Sequence, residues 1–221
     1  MQAQHGCSPH AAAARFLAGL GPAVLPGIKL TPERLRHVSG AFDAEMIESM
    51  VLPVAEGKAP SQTVALMDGV DFERNTRLDA VALAYQERPR TRVYESLHLR
   101  SDGWFSLVTL HLAGMLSRHV ICTAYESQAG DRNLGAHDDQ WLGVVVQMRG
   151  AKRWLVWTSK GSDPEEITMR AGEVLILPQG MTHEVTTPDH PGHSVHLLFA
   201  VTDHPAHPRP ERDQLPLGGA E

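Results

Sequence analysis

Chemistry in this chain starts at one turn, Ala136-His137-Asp138-Asp139-Gln140-Trp141. In extended backbone, positions two apart share a face. His137 and Asp139 therefore present an imidazole and a carboxylate side by side, while Asp138 points away toward solvent or substrate. One more histidine would complete a 2-His-1-carboxylate facial triad. Such a triad holds one face of a six-coordinate Fe(II) and leaves the other for co-substrate and oxygen. The pair alone decides little: with 13 His and 26 acidic residues, about 1.5 such pairs arise by chance, and one occurs.

The downstream context is more specific. In 171–183 (AGEVLILPQGMTH) a glycine turn feeds an apolar run, a Pro-x-Gly turn follows, and His183 comes next, ahead of Val185. In jelly-roll barrels this arrangement supplies the distal metal histidine, which makes His183 the expected third ligand. Between the two halves lie the apolar run 142–148, Arg149-Gly150, and 151–157 (AKRWLVW), which read as two strands joined by a hairpin turn.

The elements that must position these residues divide the chain in two. Strong helix formers over 11–20 predict a helix ending at Gly21-Pro22. Thr31-Pro32 reads as an N-cap with proline at the first helical position. Beyond it Leu35, Val38, Phe42, Met46, Ile47 and Met50 recur at helical spacing, as two short helices around Ser39-Gly40. A third helix is expected from Ser101 or Asp102, with Trp104, Val108, Leu112, Met115 and Leu116 in one stripe and Phe105 beside it. Short strands are expected at 63–67 and 92–99. From residue 120 the pattern changes to short apolar or β-branched runs at 120–125, 142–148, 154–157, 173–177 and 195–201, separated by Gly, Pro, Asp and Asn. The expected fold is mainly β with N-terminal helices, a double-stranded β-helix (jelly-roll or cupin) barrel. It forms a single domain over 1–221: a helical part about 10–118, a barrel core about 120–202 and an extended, proline-rich tail over 203–221.

Composition narrows the function classes. Hydrophobic residues make up 42% and charged residues 21% of 221, an ordinary globular balance that excludes a disordered or fibrous chain. A net charge of −6 argues against a broad grip on nucleic acid. Two cysteines, Cys7 and Cys122, are too few for a disulfide framework or a thiolate zinc site. The Ala/Leu-rich stretch 11–25 contains Arg15, lacks a basic region ahead of it and is broken by Gly21-Pro22, so it does not read as a secretory leader. No apolar run is long enough to span a membrane. The expectation is a cytoplasmic protein with no nucleic-acid or membrane partner. Most of the other histidines read as bystanders: His5 and His10 near the N-terminus, His98 in a strand, His111 on a helix, and His204 and His207 in the tail.

Across residues 97–201 the sequence resembles the JmjC-type Fe(II)/2-oxoglutarate oxygenases, and within them the cupin-like ribosomal-oxygenase branch. The His-x-Asp pair, the distal histidine and the segment VVVQMRGAKRWLVW carry the resemblance in register. In that family a basic residue fifteen positions after the first histidine binds the distal carboxylate of 2-oxoglutarate, and that position is Lys152. A tyrosine twelve residues before the same histidine faces the co-substrate or substrate pocket; here it is Tyr125. The run 193–197 (HSVHL) resembles the strand that closes the barrel, and places His196 as a candidate for the substrate pocket. Departures include Thr123, where the family has asparagine and which offers a hydroxyl to the pocket, and Ala136 in place of a proline. The ribosomal-oxygenase branch continues into helical dimerisation and winged-helix regions, whereas these 221 residues are expected to hold the helices and one barrel alone.

The resemblance implies that His137, Asp139 and His183 hold Fe(II), that 2-oxoglutarate is the co-substrate with Lys152 on its far carboxylate, and that oxygen is consumed. The implied reaction is hydroxylation of an amino-acid side chain in a protein, a peptide or a small peptide-derived molecule, by a monomer or a homodimer. Two other readings share the barrel. One is a non-oxidative metal cupin acting as an isomerase or hydrolase. The other is a binding module without turnover. A basic residue at position 152 speaks against the non-oxidative cupin, which has no need of it, and retention of all three expected metal ligands speaks against the binding module.

Overall fold

The computed structural model describes residues 8–30, 33–50, 52, 64–99 and 103–205. In chain order the elements are α1 (Pro9–Leu30), β1 (Arg36–Val38), α2 (Ala44–Ser49), β2 (Val64–Asp68), β3 (Asp71–Asn75), α3 (Leu78–Glu87), β4 (Arg92–Tyr94), a 3-10 turn (Leu97–Leu99) and α4 (Trp104–Leu116). Then come β5 (Arg118–Gln128), β6 (Leu142–Val156), β7 (Glu165–Arg170), β8 (Val174–Leu177), β9 (His183–Thr186) and β10 (His193–Pro205). All the strand pairs are antiparallel. The main sheet runs β1-β8-β6-β10-β5-β4-β2-β3, and β7 and β9 pair with β6 off that path.

This topology hangs on β6, and here the expected hairpin is corrected. Residues 142–156 form one continuous strand that bends, with no reversal at Arg149-Gly150. Before the bend Leu142 to Arg149 pair with β10, and the first residues also with β8; after it Ala151 to Val156 pair with β7 and β9. One strand thus serves both walls of the barrel. Gly150 makes the bend possible with φ +65° and a close approach: a Cβ there would lie 2.0 Å from the His193 carbonyl oxygen. Gly150→Ala should therefore cost about 3 kcal/mol, from left-handed strain plus overpacking, and lower the melting temperature by roughly 6–12 °C. Gly161→Ala is the control, since φ is +82° but a Cβ there meets nothing within 4 Å.

Two apolar cores follow from strand alternation. The face of β5, β6 and β10 that carries Cys122, Val144, Val146, Leu197 and Phe199 packs on α1 and α4. Phe16 of α1 is central there, with ring centroids 4.9 Å from Phe42, 4.8 Å from Trp104 and 5.9 Å from Phe199. The opposite face carries Val145, Trp154, Leu177, Leu198 and Ala200 and fills the inside of the barrel.

The N-terminal part departs from the helical expectation. Helix α1 continues through Pro22 and Pro26 to Leu30, where the sequence reading ends it at Gly21-Pro22. Its buried face, with Phe16, Leu20 and Ile28, is anchored along its length, and tertiary packing outweighs the two missing backbone donors. Residues 36–38 form the edge strand β1 against β8 and are not helical, because pairing Arg36 to Ile176 and Val38 to Val174 completes the sheet. Only the second expected helix forms, as α2, capped by Asp43, whose Oδ1 accepts from the Met46 amide at 2.8 Å. The expected strand 92–99 stops at Tyr94 and turns into the 3-10 segment that holds His98. Strand β3 and helix α3 are absent from the sequence reading, and β2, β3 and β4 extend the main sheet and are not a separate helical layer. Strand β7 is likewise unanticipated, and β10 runs on to Pro205. The Thr31-Pro32 cap, the Ser101-Asp102 start and the tail from 206 lie outside the described residues. No described helix is long and apolar enough to cross a membrane.

Candidate metal centre and co-substrate cavity

His137 and His183 are locked together by backbone before their side chains matter. Each amide donates to the other's carbonyl, at 2.9 and 2.8 Å, as an isolated antiparallel bridge at the start of β9. The Gly180 amide donates to the Asp139 carbonyl at 2.8 Å, which ties the His-x-Asp turn to the loop before His183. The local geometry is thus a loop segment stapled to a strand end. His-x-Asp lies just ahead of β6, outside its regular pairing.

The side chains are oriented by the same economy. His137 Nδ1 lies 2.8 Å from the Gly135 carbonyl and His183 Nδ1 3.0 Å from the Met181 carbonyl. A carbonyl only accepts, so each Nδ1 carries a proton and Nε2 is the nitrogen left to serve as a ligand. Both Nε2 atoms face Asp139, at 4.0 Å from Oδ1 and 3.8 Å from Oδ2. The three ligand atoms lie within 4.8 Å of one another. Burial pushes the Asp139 carboxyl up and the His183 imidazole down from their ordinary ranges, so neither is well solvated as an ion. Two imidazole Nε2 atoms and one carboxylate, pre-set by outer hydrogen bonds, fit a divalent transition metal with open positions.

These groups open onto a partly enclosed cavity of about 270 Å³. Its lining includes His137, Asp139, His183, Lys152, Tyr125 and His196, so six of the seven site residues read from sequence meet in one chamber. Thr123 does not: it is half-buried on β5 opposite Leu198 and lies outside the lining. A larger open depression of about 1100 Å³ between the 157–161 loop and the 178–182 turn contains none of the ligands.

Lys152 lies four positions along β6 from Val156, which pairs with His183, and so stands toward the other end of the chamber from the cluster. It is 1% exposed, and its Nζ donates to Ser127 Oγ at 2.8 Å and to Thr187 Oγ1 at 3.1 Å; the two hydroxyls are 2.6 Å apart. Among the described residues no carboxylate pairs with it. Burial pulls its pKa down to about 8, against a smaller upward pull from Asp131. A buried cation solvated only by hydroxyls is costly and calls for an anion. Midway along the chamber the rings of Tyr125 and His196 stack at 4.9 Å and 9°, and burial holds His196 neutral. Trp154, two residues after Lys152 on the same face of β6, stacks near His183 at 5.7 Å.

The sequence reading missed Ser127, Thr187, Thr91, Trp141 and Trp154. Two of them were within reach by the period of two, since Ser127 follows Tyr125 and Trp154 follows Lys152. Thr91 and Thr187 arrive only through strand pairing.

Comparison with known proteins agrees with this geometry. Residues 109–207 match the JmjC domain family. The chain is 26% identical over 92 residues to Ribosomal oxygenase 2 of Rattus norvegicus, covering 35% of this chain and 20% of that protein. It is 25% identical over 166 residues to the bifunctional lysine-specific demethylase and histidyl-hydroxylase NO66 of Dictyostelium discoideum, covering 64% of this chain and 32% of that protein. The chain therefore spans between a fifth and a third of these relatives' length. In fold it is similar to the Escherichia coli ribosomal oxygenase YcfD in complex with cobalt and 2-oxoglutarate, with a TM-score of 0.55 and 13% identity over 88% of this chain and 60% of that one. The YcfD complex with cobalt and succinic acid matches with a TM-score of 0.57 and 14% identity, over 83% and 51%. Barrel, donor set and family match converge: residues 109–207 are similar to the JmjC domain family, and the fold is the antiparallel barrel that YcfD also has.

Proposed function

We propose that this protein is an Fe(II)/2-oxoglutarate-dependent oxygenase that hydroxylates an amino-acid side chain in a protein, peptide or peptide-derived molecule. The observation that carries the reading is the unneutralised, 1%-exposed Lys152 at the opposite end of the chamber from His137, Asp139 and His183. A non-oxidative metal cupin would leave that cation without a use. The names of the relatives support a protein substrate.

His137, Asp139 and His183 would hold the metal, and Lys152 would neutralise the distal carboxylate of the co-substrate. Bound Fe(II) and 2-oxoglutarate supply an oxygen-dependent decarboxylation to succinate and carbon dioxide, coupled to conversion of a substrate C–H to C–OH. The chain contributes position and dryness. Val145, Leu177, Val185, Leu198 and Trp154 wall the chamber with apolar surface, which strengthens each charge contact inside. At about 270 Å³ the chamber falls below the usual ligand-pocket range of about 300–1,000 Å³, which suits a co-substrate and one slender side chain.

The test is succinate release under Fe(II), oxygen and 2-oxoglutarate with a peptide panel, with His137→Ala as control. Succinate from the native chain alone is the expected outcome. Absence of metal binding by the native chain would end this reading.

A further inference from the structure

Lys152 is not the only under-satisfied group in the chamber. Thr91 and His196 are 4% and 5% exposed and both line the cavity, yet Thr91 Oγ1 and His196 Nδ1 have no hydrogen-bond partner. Burying a polar atom in this way is costly unless something that visits the chamber supplies the missing contact.

Strand register shows which end of the chamber they serve. Val93 pairs with Tyr125 in the antiparallel β4–β5 ladder. Thr91, two residues before Val93, therefore shares its face and lies level with Ser127, two residues after Tyr125. Ser127 is the hydroxyl that accepts the hydrogen bond from Lys152 Nζ at 2.8 Å. His196 is opposite Tyr125 in the β5–β10 ladder and stacked on it, and the charge that bears on its ring is Lys152. Both orphan atoms thus stand at, or one step from, the Lys152 end.

Resting on the function proposed above, the geometry points to Thr91 and His196 as binding residues for the distal carboxylate of the co-substrate. The Lys152 ammonium supplies the charge, the Thr91 hydroxyl donates from the residue just ahead of β4, and neutral His196 donates a ring N–H from β10. The seat then draws on three strands, β5 with Ser127, β6 with Lys152 and β10, and on the entry to β4. Thr91, outside the family-matched segment 109–207, becomes part of the co-substrate site.

The test is calorimetric binding to the full chain loaded with Mn(II), using 2-oxoglutarate and, in parallel, pyruvate. Pyruvate has the same keto-acid end but no distal carboxylate. Thr91→Val removes the hydroxyl at constant shape, and His196→Phe keeps the stack on Tyr125 while removing both nitrogens. Each is expected to weaken 2-oxoglutarate about 5- to 50-fold, leave pyruvate and Mn(II) affinity unchanged, and be rescued at position 91 by Thr91→Ser. Equal weakening of both acids would show a general structural role and overturn the assignment, as would unchanged 2-oxoglutarate affinity in both variants. A native chain that takes up Mn(II) but not 2-oxoglutarate would overturn the oxygenase reading itself, and this inference with it.

Discussion

Lys152→Met is expected to stabilise the metal-free protein and, under the proposed function, to abolish binding of 2-oxoglutarate. The lysine is 1% exposed, and its folded pKa of about 8 lies below the ordinary 10.5, so the fold disfavours its charge. That shift corresponds to a penalty on the order of 3 kcal/mol on the ammonium form. Methionine fills similar volume without the charge, and Ser127 and Thr187 still pair with each other at 2.6 Å. A gain of about 2 kcal/mol at neutral pH follows, or roughly 4–8 °C in melting temperature.

The sign of the pH dependence follows from linkage. The unfolded chain holds the Lys152 proton more tightly than the folded one. The penalty is therefore fully present below pH 8 and is relieved as pH rises from about 8 to 10.5. Thermal scans of native protein and variant should differ most at pH 7 and converge toward pH 10.5. The same substitution should weaken 2-oxoglutarate about 100-fold or more, since it deletes the one cation facing the ligand's far end. Greater stability together with lost binding is the mark of a residue kept for function.

Asp139→Ala is expected to give the second large effect. Asp139 sets its carboxylate between two imidazoles, with Nε2–carboxylate distances of 4.0 and 3.8 Å. Without it a divalent ion would lose both a ligand and the one negative charge among the three donors. Metal affinity should fall by more than about 100-fold, beyond what loss of an outer-sphere partner costs, and succinate formation should fall to background. The fold should survive, because the backbone bridge between His137 and His183 does not involve the carboxylate. Calorimetry with Mn(II) and a thermal scan separate the two effects.

The cluster of His137, Asp139 and His183 was legible in the sequence because its logic is local: His137 and Asp139 are two apart, and His183 follows a turn with a fixed pattern. Lys152, Tyr125 and His196 came from the family resemblance, and the structure places all three in the lining of the same chamber. Thr91 and Thr187 could not be read in this way. Each reaches the Lys152 end through pairings between strands distant in sequence, and nothing in its own neighbourhood marks it. The Arg149-Gly150 pair misled for a related reason. Glycine with positive φ serves a hairpin and a strand bend equally, and only the partners β7 and β9 decide between them. At the N-terminus, helical spacing over 35–50 lost to the sheet edge that residues 36–38 complete.

On the proposed function, the His137-Asp139-His183 cluster and Lys152 are two ends of one seat for 2-oxoglutarate. Titration of 2-oxoglutarate into the native chain with and without Mn(II), followed by calorimetry, tests it most directly. The account predicts saturable one-to-one binding that tightens when the metal is present and is lost in Lys152→Met. Binding that ignores both the metal and Lys152, or no binding to the metal-loaded chain, would contradict it.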